Sequence, residues 1–377
     1  MRVLHVTDTY QPLVGGIEIL VDDLAGHQRG FGHQVRVLTS TPSPTPDPGT
    51  VRLKNPVFSA VAHSINSFRP DAVHCHSSVV SPLAWRAARH AARAGLPVVV
   101  TMHSMVPSGG PVSQALRQLA LGMPKSVSWS AVSAPAAAAL RPIVGSPVLV
   151  LPNGLDQDSC RTARPGTNQV PLIVSVMRLV RRKRPLEFIG ILAQVRAQLG
   201  DLPWRAVMVG DGPLRSAVQR AIRRHGLEDH VYLTGRLDRP QILDLLARAD
   251  LYLAPAYLES FGIAALEARC SALPVVAMSG GGVSEFVRTG THGHLVRNDA
   301  EMAWRTARLL ADREALRTLG RRSLADPPDL GWASVVERTL RAYQGAAGAS
   351  TRELAPAGTP SIQRVAPSSP RTPAGVW

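Results

Sequence analysis

The chain has 377 residues, more than one ordinary core holds, and the usual span of about 100 to 200 residues per domain points to two domains. A hydrophobic share of 45% against 18% charged residues excludes disorder of the whole chain. The 42 Lys and Arg against 27 Asp and Glu leave +15, a balance that suits nucleic acid, an acidic membrane surface or a phosphorylated small molecule.

In chain order, short apolar runs at residues 3–6, 34–38, 72–76, 98–101, 127–132 and 148–151 read as strands, several of them nearly continuous in apolar residues. Parallel strands buried on both faces have this pattern. Helical patterns at 18–29 and 79–94 lie between them, so residues 1–156 read as a doubly wound α/β domain built from βαβ units. The polar stretch 157–169 reads as an interdomain linker. Strands at 172–176, 206–209, 231–234, 251–254 and 274–277, with helices at 185–199, 213–225, 239–249 and 262–269, make residues 170–330 a second domain of the same Rossmann-like kind. An amphipathic helix at about 332–343 closes the ordered part, and residues 331–345 are expected to pack back on the first domain. The remaining 346–377, rich in Pro, Ser, Thr and Ala, are expected to be disordered.

Four motifs carry chemistry. Strand 251–254 runs into a loop, Glu259-Ser260-Phe261-Gly262-Ile263, that opens a helix carrying Glu267. A helix start offers free N–H groups and a positive dipole end, and Gly262 lets a ligand approach the backbone closely. A carboxylate beside it accepts hydrogen bonds from two vicinal hydroxyls, although two glutamates near a helix start also complement the dipole with no ligand present. Arg178 and Lys183 lie in the basic run Arg178-Leu179-Val180-Arg181-Arg182-Lys183-Arg184, which reads either as a phosphate clamp or as a solvated basic face. Gly15 and Gly16 follow the first strand and precede a helix, and His103 ends the strand at 98–101, where sites of open α/β sheets gather.

Taken together and in this order, these motifs resemble the retaining glycosyltransferases of family 4, which have the two-domain GT-B fold, over roughly residues 1–345. The pattern Glu-x-Phe-Gly-x-x-x-x-Glu, with glutamates at 259 and 267, carries most of the resemblance. It implies that Glu267 binds the ribose of a nucleoside-diphosphate sugar and that Glu259, with the backbone of Phe261, Gly262 and Ile263, contacts the sugar transferred. Arg178 and Lys183 would clamp the diphosphate, the Gly15-Gly16 loop would approach it, and His103 would hydrogen-bond the sugar. Met177 and Arg184 stand where the family has glycines, and Ser284 replaces the proline of a Gly-Gly-x-Pro-Glu loop. Asn153-Gly154-Leu155-Asp156 resembles the family's turn at the domain junction.

The implied activity is transfer of a hexosyl or N-acetylhexosaminyl group from a UDP- or GDP-sugar, held by the second domain, to a small-molecule or lipid hydroxyl acceptor on the first. Alternatives are a sugar-nucleotide epimerase on the same fold and a non-catalytic protein binding anionic ligands or membranes. A phosphorylase needs a cofactor lysine, and the chain has only Lys54, Lys125 and Lys183. Gly210-Asp211-Gly212-Pro213 lacks the Lys-Ser/Thr of an ATP-binding P-loop. No cofactor and no metal are expected: His74 and His76 share a strand face but show no third ligand nearby. Nucleic acid is not an expected partner, since no zinc-finger, basic-zipper or RNA-binding pattern is present. Cys75, Cys160 and Cys270, odd in number and far apart, suit a reducing compartment. With neither a leader peptide nor a spanning run in view, a cytoplasmic location is expected, peripheral membrane contact left open through the amphipathic segment 112–121.

Overall fold

The computed structural model describes residues 1–354 except 14, 56, 107, 108 and 161, and side chains up to residue 348. Its first sheet contains β1 (Arg2–Thr7), β2 (Gln34–Thr39), β3 (Thr50–Arg52), β4 (Ala72–Ser77), β5 (Val98–Met102), β6 (Ser128–Ala131) and β7 (Val148–Val150). The order is β3-β2-β1-β4-β5-β6-β7, every pairing parallel. The second sheet contains β8 (Leu172–Val176), β9 (Arg205–Val209), β10 (Val231–Gly235), β11 (Leu251–Ala254), β12 (Val275–Met278) and β13 (Gly293–Val296), in the order β10-β9-β8-β11-β12-β13 and again parallel. Parallel strands need crossovers. In the first domain these include helices α1 (Gly16–Gly30), α2 (Phe58–Phe68), α3 (Pro82–Arg93), α4 (Gly110–Leu121) and α5 (Ala134–Val144). Helices α6 (Pro185–Leu199), α7 (Arg215–Arg224), α8 (Arg239–Ala247), α9 (Ile263–Cys270), α10 (Asp299–Ala311) and α11 (Arg313–Ala325) belong to the second.

In an open sheet of this kind ligands bind beyond the carboxyl ends of the strands where the order reverses. The reversal falls between β1 and β4 in the first sheet and between β8 and β11 in the second. The turns after β1 and β5 therefore face those after β8 and β11. Gly15-Gly16, His103, Arg178 and Glu259 come from those turns.

The chain crosses between domains twice. Leu155 bridges to Gly331 where outgoing and returning strands of chain lie side by side, and a Cβ on Gly154 would overlap the Trp332 ring. The stretch 157–169 is not a free span: Ala163 N donates to Ser271 O at 2.7 Å, and Gly166 N and Asn168 Nδ2 both donate to Asp250 at 2.6 Å. It packs along the second domain because the buried Asp250 carboxylate needs those donors. The last helix, α12, runs Trp332–Leu354, well past the expected end near 343. Its Trp332, Val335 and Val336 pack on Leu20 and Leu24 of α1, and Tyr343 and Ala346 join the first-sheet core. Disorder from residue 346 is thus wrong up to 354, and residues 355–377 lie outside those described.

Candidate active site

A cavity of about 470 Å³ lies between the domains. Gly15, Gly16, His103, Arg178, Lys183, Glu259, Phe261, Gly262 and Ile263 all line it. Both α1 and α9 begin at its wall with no side-chain cap on their N-termini, so two sets of backbone N–H groups are available to an anion. The two walls nearly touch, since a Cβ on Gly16 would lie 4.0 Å from Ile263 Cδ1. Ser133 Oγ donates to Ser260 O at 2.6 Å and Ala134 N to Glu285 Oε1 at 2.6 Å, tying α5 of the first domain to the second.

Local sequence explains the positions of the groups. The turn Gly210 to Pro213 braces the basic loop: Leu179 N donates to Asp211 O at 2.9 Å, and Cβ atoms on Gly210 or Gly212 would overlap the carbonyls of Met177 or Leu179. Arg178 is exposed on that loop and, among the described residues, has no carboxylate paired to it. Lys183 Nζ donates to Glu259 Oε2. Arg184, where the family has glycine, has φ 60°, the left-handed region that favours glycine. Its guanidinium compensates with two bonds to Asp299 at 2.9 and 2.8 Å, one to Pro255 O and a stack on Tyr257 at 4.3 Å. Gly262 has φ 94°, and a Cβ there would meet Val283 at 2.8 Å. Ser284 closes its own turn in place of proline, Oγ donating to Gly281 O at 2.8 Å.

Glu267 is the exception among the expected site residues. It does not line the cavity; its side chain is buried behind the wall, where Arg239 Nε donates to Oε1 at 3.0 Å and the same guanidinium reaches Asp23 of α1 at 3.2 Å. Burial raises the Glu267 pKa and Arg239 opposes that shift. The sequence pattern does not single out Arg239 or Asp23, and it places Asn153 only in the domain-junction turn, whereas Asn153 lines the cavity and its buried Oδ1 has no partner among the described residues. Charges 216 residues apart carry no local spacing to find them by.

A third imidazole does join His74 and His76: His5 of β1 brings the ring nitrogens within 4.8 Å of one another. Each of the trio's six ring nitrogens has a hydrogen-bond partner in this structure. Cys160 and Cys270, distant in sequence, are free thiols, Cys160 Sγ donating to Asp156 O at 3.7 Å, and burial pushes the Cys75 thiol up.

Residues 161–324 match the family described as Glycosyl transferases group 1, and residues 14–159 match Glycosyltransferase Family 4. The chain belongs to the family-4 glycosyltransferases and has the GT-B fold. The D-inositol 3-phosphate glycosyltransferase of Nocardia farcinica is 34% identical over 182 residues, 45% of this chain and 40% of that protein. The 2-deoxystreptamine N-acetyl-D-glucosaminyltransferase of Streptomyces fradiae is 28% identical over 322 residues, 78% of this chain and 75% of that protein. The chain spans about half or less of the length of the inositol-phosphate enzymes it matches, 40% and 52% in two of them. Anabaena HepE in complex with UDP-glucose shares the fold with a TM-score of 0.76 at 20% identity, over 92% of this chain and 100% of that one. Sucrose-phosphate synthase from Thermosynechococcus elongatus does so at 0.74 and 19%, over 92% and 99%. Among the described residues no helix is long and apolar enough to cross a membrane.

Proposed function

We propose that the protein is a retaining glycosyltransferase that moves a hexosyl or N-acetylhexosaminyl group from a nucleoside-diphosphate sugar to a hydroxyl acceptor without a metal. The observation that carries this reading is the meeting, in one interdomain cavity, of two uncapped helix N-termini with Arg178 and Lys183. That is a site for a dianion on the scale of a diphosphate. As the C1–oxygen bond of the donor breaks, charge grows on the leaving phosphate, and fixed cations stabilise it. The acceptor oxygen bonds to C1 on the face the phosphate leaves, and its proton passes to a phosphate oxygen. No carboxylate base is required. Glu259 orients Lys183 and accepts from the sugar hydroxyls; Glu267 serves the ribose once Arg239 yields one of its oxygens.

The relatives' names include transfer to inositol 3-phosphate and 2-deoxystreptamine and synthesis of a glucosaminyl malate. These favour a small hydroxylated acceptor and, in two cases, an N-acetylglucosaminyl donor. Thermal denaturation with UDP, GDP and ADP tests the donor: a ligand at 100 times its Kd stabilises by about 2.7 kcal/mol. No shift with any of the three contradicts the reading. Transfer that survives Glu259→Ala but not Glu267→Ala overturns the division of roles between the glutamates.

A second reading, peripheral contact with an anionic membrane, is favoured by one groove on the first domain. Phe58, Val80 and Val112, exposed at 56, 77 and 42%, stand there beside Arg86, Arg89 and Arg93. Apolar side chains ringed by arginine suit an interfacial surface. Cosedimentation with phosphatidylglycerol vesicles, but not with phosphatidylcholine ones, is the expected result; equal behaviour with both removes this reading and leaves transfer untouched.

A further inference from the structure

His103 does not stand alone at the cavity wall; it ends a hydrogen-bonded chain that runs through the core of the first domain. His103 Nε2 lies 3.0 Å from His76 Nδ1, and His76 Nε2 lies 2.8 Å from His5 Nδ1. His5 Nε2 lies 2.8 Å from Gln28 Oε1 of α1. Gln28 Nε2 continues to the Tyr343 hydroxyl of α12 at 3.2 Å, and that hydroxyl to His74 Nδ1 at 2.9 Å. His74 Nε2 meets Thr101 Oγ1 at 2.6 Å, Thr101 meets Ser130 Oγ at 2.6 Å, and Ser130 ends on the Val100 carbonyl at 3.3 Å.

The far end gives the chain a direction. A carbonyl only accepts, so Ser130 donates to Val100, Thr101 donates to Ser130, and His74 must donate from Nε2 to Thr101. A neutral imidazole has one donor and one acceptor, so His74 Nδ1 accepts from Tyr343, and Tyr343 accepts from the Gln28 amide. The Gln28 oxygen is then left to accept from His5. By the same alternation His5 accepts from His76, and His76 accepts from His103. Running every bond the other way sacrifices the Ser130 bond to Val100 and leaves a buried carbonyl without its side-chain partner. The rings are neutral, as the alternation requires: desolvation lowers His5 and His103 to about 4, and His74 and His76 well below the ordinary value.

His103 thus carries its proton on Nε2, committed inward. Its Nδ1 has no partner among the described residues, and the ring lines the cavity. We infer that the chain fixes His103 as a hydrogen-bond acceptor toward the bound sugar, with Gln28, His5 and His76 as positioning residues that set its tautomer. This deepens the transferase reading and rests on it for the identity of the ligand. The sugar group that meets His103 is a hydroxyl that donates; replacing it with fluorine, which cannot donate, removes the contact, as does removing it altogether.

The tautomer is measurable without any donor. Histidine-selective nitrogen-15 labelling of the full chain at neutral pH, with the His103 signals identified by their loss in His103→Asn, is expected to show the Nε2–H pattern for His103. An Nδ1–H pattern overturns the inference. Gln28→Leu removes the acceptor that orients His5, so the His103 tautomers mix and the donor KM rises about 3- to 10-fold, the effect of one uncharged hydrogen bond, with kcat changed less. Gln28→Glu retains an acceptor for His5 and keeps the Nε2–H pattern. A pure Nε2–H pattern in Gln28→Leu shows that the relay does not set it and overturns the positioning role. If Gln28→Leu does not fold, the wild-type spectrum still decides the tautomer. An Nε2–H His103 in a protein that binds no nucleotide sugar sinks the transferase reading alone.

Discussion

Arg239 Nε donates to Glu267 Oε1 at 3.0 Å while the same guanidinium reaches Asp23 in the other domain at 3.2 Å. One residue thus holds a buried carboxylate of the donor helix and a surface carboxylate across the cleft. Removing the partner of a buried charge costs about 3 to 5 kcal/mol, whereas a partly exposed pair contributes about 1 kcal/mol or less. Arg239→Ala is therefore expected to lower the Tm markedly and to weaken nucleotide binding. Asp23→Asn, whose pair is about a third exposed, is expected to change the Tm little. Paired denaturation curves check this, and equal losses would contradict it.

The exposed Arg178 has no structural partner to lose among the described residues. Arg178→Ala is expected to leave the Tm within about a degree while lowering kcat about 100- to 1000-fold, the usual cost of one group that stabilises developing charge. Lys183→Ala also frees the Glu259 carboxylate beside the phosphate site, so it should weaken donor binding as well as kcat. Steady-state kinetics with both variants separates the two effects.

Gly262→Ala meets two obstacles at once, a left-handed φ of 94° and a contact of 2.8 Å with Val283. The strained backbone alone costs about 1 to 3 kcal/mol, and relief moves the start of α9. Donor binding should fall by at least tenfold. Gly26, which has nothing within 4 Å of a new Cβ, is the matched control: Gly26→Ala is expected to be neutral or slightly stabilising.

The buried histidines set the acid limit of stability. His5 and His103 have folded pKa values of about 4 against about 6.5 when unfolded. Between these values the unfolded chain binds more protons than the folded one, so stability is fully present above about pH 6.5 and is lost as pH falls toward 4. Each unit of depression corresponds to about 1.4 kcal/mol. Denaturation midpoints should fall steeply over that window, and less steeply in His5→Gln, provided that variant folds. A flat profile would mean that these rings are solvated.

The parts legible in the sequence are those with local periodicity. The bounds of β8, β11 and α6 coincide with the apolar pattern, and the motif residues that reach the cavity follow strand ends, where the fold puts ligands. Short edge strands such as β3, with three residues and no buried side chain, and β13 left no run to recognise. Charge pairs that bridge the two domains, such as Asp23 with Arg239, have no local spacing to reveal them. The stretch 157–169 reads as a linker in sequence because its polar groups, such as Gly166 N and Asn168 Nδ2, are satisfied by Asp250 and not by a sheet. The amphipathic pattern ends near residue 343 because Gly345 and Gly348 interrupt it, yet Tyr343 and Ala346 anchor α12 in the first domain's core.

The most direct test of the whole account is the anomeric configuration of the product, read by proton NMR after incubation with UDP- and GDP-sugars and hydroxylated acceptors that include inositol phosphate and 2-deoxystreptamine. Release of the nucleoside diphosphate with a glycoside of the donor's own α configuration is the predicted result. A β-linked product, or no consumption of any nucleotide sugar by protein that is folded and active-site intact, would contradict it.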